Sequence, residues 1–297
     1  MNDNVVEVRN LFRTYGKKQA LVDVNLTLER GTVLGLVGQN GAGKTTLIKH
    51  ILGLLRAEQG TVRVFGRDPV ADPPGILSRI GYLSEEGDLP LWMRVDELMR
   101  YSAAFYPGWD PDYAENLRKE FGLALDAKLG AISKGQRARA GLLVALAFRP
   151  ELLLLDEPSS GLDPVVRRDI LGAIIRTIAD EGRTVLFSSH LLTEVEQVSD
   201  RVVMVRSGQL ILDDDLANLK LTHHRITLRL PEVSAQAPGL PGAVGWTGGG
   251  RDWMALWHGD PRQLEATVAL SLDGAKIVAR DGASLDDIFV AHAGAPQ

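Results

Sequence analysis

The chain has 297 residues, 38 acidic against 33 Lys and Arg side chains, and a net charge of −5. Apolar residues make up 45% and charged ones 24%, enough for a large α/β domain plus a small one, while the acidic balance and the lack of a Lys/Arg block argue against a nucleic-acid-tracking surface. With no cysteine, disulfides, thiolate metal sites and a cysteine nucleophile are excluded. The longest apolar runs, 141–148 and 152–155, fall far short of the roughly eighteen residues of a membrane helix. The acidic, non-basic opening predicts no secretory leader, which fits a cytoplasmic setting.

In chain order, Val5–Val8 alternates as a strand. Leu21–Leu28 does so again, with Val22, Val24, Leu26 and Leu28 on one face. Arg13-Thr14-Tyr15-Gly16 between them reads as a turn, and Tyr15 offers a flat face on which a nucleobase could stack. Thr32–Val37 is a short apolar strand. Gly38-Gln39-Asn40-Gly41-Ala42-Gly43-Lys44-Thr45-Thr46 follows, and then Leu47, Ile48, Ile51, Leu52 and Leu55 repeat at helical spacing.

This strand, glycine-rich loop and helix meet the Gly-x-x-x-x-Gly-Lys-Thr pattern in the context it needs. Glycines let backbone wrap a phosphate, and the first helical turn offers unpaired N–H groups carrying partial positive charge. Lys44 would reach the β- and γ-phosphates of a nucleoside triphosphate, and the Thr45 hydroxyl would ligate Mg²⁺.

Gly60–Phe65 reads as a strand, Asp68–Gly75 as a proline-rich loop, and Arg79–Leu83 as a strand running into Ser84-Glu85. From Val95 to about Leu129 the pattern is helical, broken by Tyr106-Pro107-Gly108-Trp109-Asp110-Pro111, so a helical insertion of about residues 88–150 is expected. Ser133 is the expected N-cap of a helix over Gln136–Phe148. Leu152–Leu155 reads as a strand buried on both faces, with Asp156 and Glu157 at its carboxyl end, where open α/β sheets bind ligands.

Ile170–Ile178 is predicted helical. Thr184–Phe187 is a buried strand ending in Ser188-Ser189-His190, and a lone histidine there is more often a satisfied core residue than a catalytic one. A helix over Leu191–Val198, a hairpin across Ser207-Gly208 and a short helix at Leu216–Leu219 follow. Beyond Leu221 the character changes. A strand at Arg225–Leu230, a hairpin through Gly248–Gly250, a helix at Pro261–Leu270, a strand at Lys276–Ala279 and a last helix at Leu285–His292 make a small α+β unit. Trp246, Trp253 and Trp257 are expected in its core.

In this order GQNGAGKTT, SKGQ, LLLLDEP, SGLD and a strand ending in histidine resemble the ATP-binding subunit of an ABC transporter, over Val5 to about Leu219. The 112-residue separation of Lys44 and Asp156 suits that family and is too short for the coiled-coil insert of chromosome-structuring relatives. The helical insert and the SLDDIFV tail resemble the exporter branch whose ATPase is a separate polypeptide, the type-two exporters. The implied fold is a P-loop NTPase with a mixed, mainly parallel sheet: an ATPase domain over 1–220 and an accessory domain over 221–297.

The resemblance also implies roles. Tyr15 stacks on adenine, and Gly38 to Thr46 wraps the phosphates of ATP. Asp156 holds Mg²⁺ together with Thr45, Glu157 polarises the attacking water, and His190 contacts the γ-phosphate, which raises it above a core histidine. Ser133, Lys134, Gly135 and Gln136 match the signature loop that touches the ATP of an opposite subunit, and Asp163 communicates across that interface. Two positions depart from the family pattern. Glu85 stands where glutamine is frequent, and can still ligate Mg²⁺. Lys134 stands where many members have glycine.

The implied activity is ATP hydrolysis, with a second copy or a homologous ATPase subunit as one partner and an integral-membrane permease as another. The chain would sit peripherally on the cytoplasmic face of the membrane. The permease would dock in the groove around Glu85–Arg100, with Trp92 and Met93 as exposed candidates. A soluble ABC-type ATPase, and an ATP-dependent switch without transport, are the competing expectations.

Overall fold

The computed structural model describes residues 3–85 and 87–294; of 176–181 and 292–294 only the backbone is described. It divides into two compact units, one ending at Leu212 and one beginning at Asp213.

The first unit opens with the long strands β1 (Asn4–Tyr15) and β2 (Lys18–Glu29), paired antiparallel. Arg13–Tyr15, expected as a turn, is the end of β1, because the chain reverses one step later at Gly16-Lys17. Asp23 has a left-handed backbone (φ 50°), and this bulge shifts the alternation: Leu21 is buried and Val22 is only half-buried. After β3 (Val33–Val37) and α1 (Lys44–Ile51), β4 (Gln59–Val64) joins the far side of β1.

The stretch expected as a proline-rich loop contains a short helix, α2 (Pro73–Leu77). The Asp72 carboxylate caps it by accepting from Gly75 N–H, and proline begins it, where a missing N–H costs nothing. Strand β5 (Ile80–Leu83) leads to the helices α3 (Val95–Ala103), α4 (Pro111–Glu120) and α5 (Lys134–Leu146). Then come β6 (Leu152–Asp156), α6 (Pro164–Glu181), β7 (Thr184–Ser189), α7 (Leu192–Val198), β8 (Arg201–Arg206) and β9 (Gln209–Asp215).

A six-stranded sheet runs β5-β6-β7-β3-β8-β9, with β5, β6, β7, β3 and β8 parallel. Every residue of β3, β6 and β7 is buried, which is why these segments read as unbroken apolar runs rather than alternating ones. Leu47, Ile48 and Ile51 of α1 are fully buried in the same core as Leu34, Leu36, Leu152 and Leu154. Because β6, β7 and β3 are neighbours, their carboxyl ends lie together: Asp156 pairs with Ser188, and Val37 with Ser189. The loops that follow β3, β6 and β7 therefore leave from one end of the parallel sheet.

The second unit contains α8 (Leu216–Thr222), β10 (His223–Ser234), β11 (Ala243–His258), α9 (Leu264–Ser271), β12 (Lys276–Gly282) and α10 (Leu285–Gly294), with sheet order β11-β10-β12. Trp257 belongs to its core and Trp246 packs on that core, edge-on to the buried Trp253.

One ion-pair network ties the parallel sheet to the outer strands. Glu151 accepts from Arg79 at 2.5 and 2.9 Å and from Arg30 at 3.2 Å, and Arg79 lies 3.7 Å over the Phe65 ring. The Arg79 guanidinium holds the Glu151 carboxyl below its ordinary range, with Arg30 adding to the effect. A lowered folded value means stability that is present at neutral pH and is lost as the pH falls through that value. Glu151→Gln is therefore expected to cost no more than about 1 kcal/mol near neutrality, since the carboxylate is partly exposed. The difference from wild type in thermal melts should vanish in strong acid; a deficit that persists there would show the effect is steric.

Candidate functional site

The glycine-rich loop and α1 form one wall of a cavity of about 360 Å³, lined among others by Tyr15, Lys18, Asn40, Lys44, Glu85 and Glu157. Gly41, Gly43, Thr45 and Thr46 also face it. Gly43, at the start of α1, sits at φ 118°, and a Cβ there would lie 2.5 Å from the Ala20 carbonyl oxygen. Only glycine fits. A Cβ on Gly38 would likewise stand 2.4 Å from the Val205 carbonyl oxygen. Packing thus fixes both ends of the loop against β2 and β8.

Lys44 and Glu157 are each only 5% exposed and face each other at 3.0 Å. The Lys44 ammonium also donates to the Gly38 carbonyl at 2.6 Å and is 3.4 Å from that of Gln39. It is therefore held by its own loop as well as by the carboxylate. Glu157 has a left-handed backbone (φ 50°), uncommon for a non-glycine residue. Its N–H donates to both the main-chain oxygen (3.1 Å) and the hydroxyl (3.0 Å) of Ser188, which holds it there.

Ser188 in turn donates its hydroxyl to Asp156 at 2.7 Å. One serine thus positions both acids. Asp156 is 1% exposed, and burial pushes its carboxyl above the ordinary range; hydrogen bonds from Ser188 and Thr45 pull it down, and the charges of Glu157 and Glu85 push it further up. His190 lies beside Glu157. Its main-chain N–H donates to Glu157 Oε2 at 3.2 Å, and its Nδ1 lies 2.6 Å from the same oxygen. A carboxylate only accepts, so Nδ1 carries the proton.

Of the residues expected on sequence grounds, the cavity brings together Tyr15, Asn40, Gly41, Gly43, Lys44, Thr45, Thr46, Glu85 and Glu157. Asp156 and His190 stand against its acidic wall through Thr45 and Glu157. Tyr15 is 44% exposed, with the Arg13 guanidinium 4.8 Å over its ring. Gly38, Gln39 and Ala42 are in the loop but do not line the cavity.

Ser133, Lys134, Gly135, Gln136 and Asp163 do not line it either. Ser133 caps α5, exchanging hydrogen bonds with Gln136 at 3.2 Å in both directions. Gly135 packs so closely that a Cβ would reach Val166 at 2.8 Å. Asp163 caps α6 by accepting from Val165 and Val166 N–H at 3.0 Å. Lys134 donates to the Ser160 carbonyl at 2.8 Å, and the Ser160 hydroxyl reaches Glu85 at 3.2 Å.

A second, more apolar groove of about 520 Å³ is lined by residues including Leu77, Leu89, Leu98, Tyr101, Phe105 and Tyr106. Met93, expected as an exposed docking residue, is buried at 5%, because it packs inward where its carbonyl receives Leu129 N–H; Trp92 is 69% exposed but does not line the groove. Tyr101 and Phe105, their rings 4.9 Å apart, are the exposed aromatics there.

Sequence reasoning missed Lys18 and Ser188. Nothing local flags Lys18, which reaches the site only because β2 folds beside the loop. Ser188 had a signal: a polar side chain ending a fully buried strand must find a partner, and two acids end the neighbouring one.

A family model described as ABC transporter matches residues 21–160. The ABC transporter ATP-binding protein NatA of Bacillus subtilis is 36% identical over 208 residues, 68% of this chain and 84% of that protein. The chain belongs to the ABC transporter family. It is an ATP-binding subunit of that family and an ATPase, hydrolysing ATP to ADP and phosphate. The daunorubicin/doxorubicin resistance ATP-binding protein DrrA of Streptomyces peucetius is 30% identical, over 98% of this chain and 93% of its own. A solved ATP-binding subunit of an ABC transporter superposes with a TM-score of 0.66 at 29% identity, over 73% of this chain and 92% of the other. A dimeric cassette bound to ADP and phosphate shares the fold with a TM-score of 0.64 at 23% identity. Among the described residues, no helix of this ABC ATPase is long and apolar enough to cross a membrane.

Proposed function

We propose that this ATPase is the motor of an exporter whose channel is a separate permease, and that two copies, or one copy and a homologue, close head to tail on two Mg-ATP. One observation carries the reading: Ser133 and Asp163 cap their helices, yet the loop 133–136 and Asp163 lie outside the cavity lined by Lys44 and Glu157. One chain thus supplies half a cage, and the other half faces a neighbour.

In this reading Tyr15 stacks on adenine, and the N–H groups of 38–46 with the α1 N-terminus take the phosphates. Lys44 leaves its loop carbonyls for the β- and γ-phosphates. Glu157 orients the attacking water and accepts its proton, and His190 holds Glu157 in place while meeting the γ-phosphate. The neighbour's Ser133 hydroxyl and α5 N-terminus complete the donor set.

The donors suit a hard cation. Thr45, Asp156 and Glu85 offer oxygen only, and Asp156 is a buried acid whose charge a cation would relieve. Among the described residues no group of three or more His, Cys, Asp or Glu side chains could hold a metal by itself, so Mg²⁺ would take further oxygens from phosphates and water. When bound, Mg²⁺ neutralises phosphate charge. The groove at Tyr101 and Phe105 would receive a helix of the permease, placing the subunit on the cytoplasmic face. Export is supported by a relative along nearly the whole chain, a fluoroquinolones export ATP-binding protein of Mycobacterium tuberculosis at 34% identity over 96% of this chain.

Sedimentation tests the pairing. With Mg²⁺ and a slowly hydrolysed ATP analogue, the wild type should double its mass. Ser133→Asp keeps a good cap but sets a carboxylate against the neighbour's γ-phosphate, so it should stay single while binding nucleotide normally. A wild type that stays single under saturation, alone and with its permease, overturns the proposal.

A further inference from the structure

We infer that Glu194, on α7, is a positioning residue that fixes the segment after β6 and the end of β7 in one register. Its side chain is buried, 4% exposed, and lies outside the cavity. Oε2 accepts from the Ser159 hydroxyl at 2.7 Å and from the Ser189 hydroxyl at 2.9 Å. Oε1 faces Arg167 of α6 at 3.2 Å. Ser159 and Ser189 are themselves 1% and 0% exposed, so neither hydroxyl has water as an alternative partner.

The two serines sit at informative places. Ser159 lies two residues after Glu157, and its neighbour Ser160 receives Lys134 and touches Glu85. Ser189 precedes His190, and its hydroxyl also accepts from Leu191 N–H at 3.0 Å, fixing the turn that carries the histidine. A single carboxylate oxygen thus spans the approach to Glu157 on one side and to His190 on the other. The Glu157–His190 contact needs both backbones placed together, and small misplacements of reacting groups cost large factors in rate. Glu194 acts through them and does not itself line the cavity.

The inference rests on the roles proposed for Glu157 and His190, so Glu157→Gln serves as the reference. In steady-state ATPase assays, Glu194→Ala and Ser189→Ala should each lower kcat by about tenfold with KM for ATP changed less than about twofold. Glu194→Gln keeps an oxygen that can accept both hydroxyls, and should recover most of the rate. In the Glu194→Ala background, Ser189→Ala should have little further effect, because the two act as one unit. If Glu157→Gln is inactive but Glu194→Ala and Ser189→Ala turn over like wild type, this inference fails. If Glu157→Gln keeps wild-type turnover, the underlying site reading fails instead. Should Glu194→Ala not fold, Ser189→Ala, a loss of one oxygen, decides alone by the same kcat and KM criteria.

Discussion

Glu157→Gln is expected to cut ATP hydrolysis by about a hundredfold or more while ATP still binds. The side chain keeps its size, so the cavity keeps its shape, and Lys44 keeps its bond to the Gly38 carbonyl. What changes is the set of groups that can accept. Oε1 faces the Lys44 ammonium, and Oε2 faces both the main-chain N–H and Nδ1–H of His190. An amide has one oxygen. Whichever way it turns, its NH₂ meets a donor, and it cannot take a proton from water. Single-turnover measurement with quantified bound nucleotide separates the steps: bound ATP should persist unhydrolysed. Turnover equal to wild type would remove Glu157 as the base.

The cavity lining was legible from sequence where it is written in adjacent residues, as in Asn40, Gly41 and Gly43 to Thr46 and at Glu157, whereas Ser133–Gln136 lies outside it. Adjacent residues say which groups are present but not which loops share an edge. That follows from the strand order β6-β7-β3, which comes from long-range pairing. Ser188 shows the difference. Its place at the end of an apolar strand is plain in the sequence, whereas its dual contact with Asp156 and Glu157 depends on β6 pairing with β7 in register.

The strands misjudged by sequence fail for local reasons. A bulge at Asp23 moved the buried set by one residue, and β1 continued through Tyr15 because its turn needed only Gly16-Lys17. Met93 was misjudged because the short apolar run Leu91-Trp92-Met93 gives no periodicity to tell inward members from outward ones. Trp92 faces solvent, and Met93 is buried.

Lys44→Met should abolish hydrolysis and weaken ATP binding by at least about tenfold, since the cation that meets the phosphates is gone. The same substitution has a second consequence that the double variant exposes. Lys44 and Glu157 are both 5% exposed, so removing the cation leaves a carboxylate buried without its partner. Breaking a buried pair from one side typically costs about 3–5 kcal/mol, much of it the penalty of the stranded charge. In denaturant unfolding without nucleotide, Lys44→Met should therefore be strongly destabilised, and Lys44→Met/Glu157→Gln should regain a large part of that loss. The regained stability measures the coupling between the two side chains, independent of turnover. His190 makes the test sharper, because its N–H groups still stand on Glu157 and stabilise the carboxylate when the lysine is absent. If Lys44→Met unfolds like wild type, the histidine contacts alone hold Glu157, and the lysine's place in the resting site is set by the Gly38 carbonyl rather than by the acid. If the double variant is as unstable as the single one, the loss comes from the lysine stem's packing against the loop and not from charge.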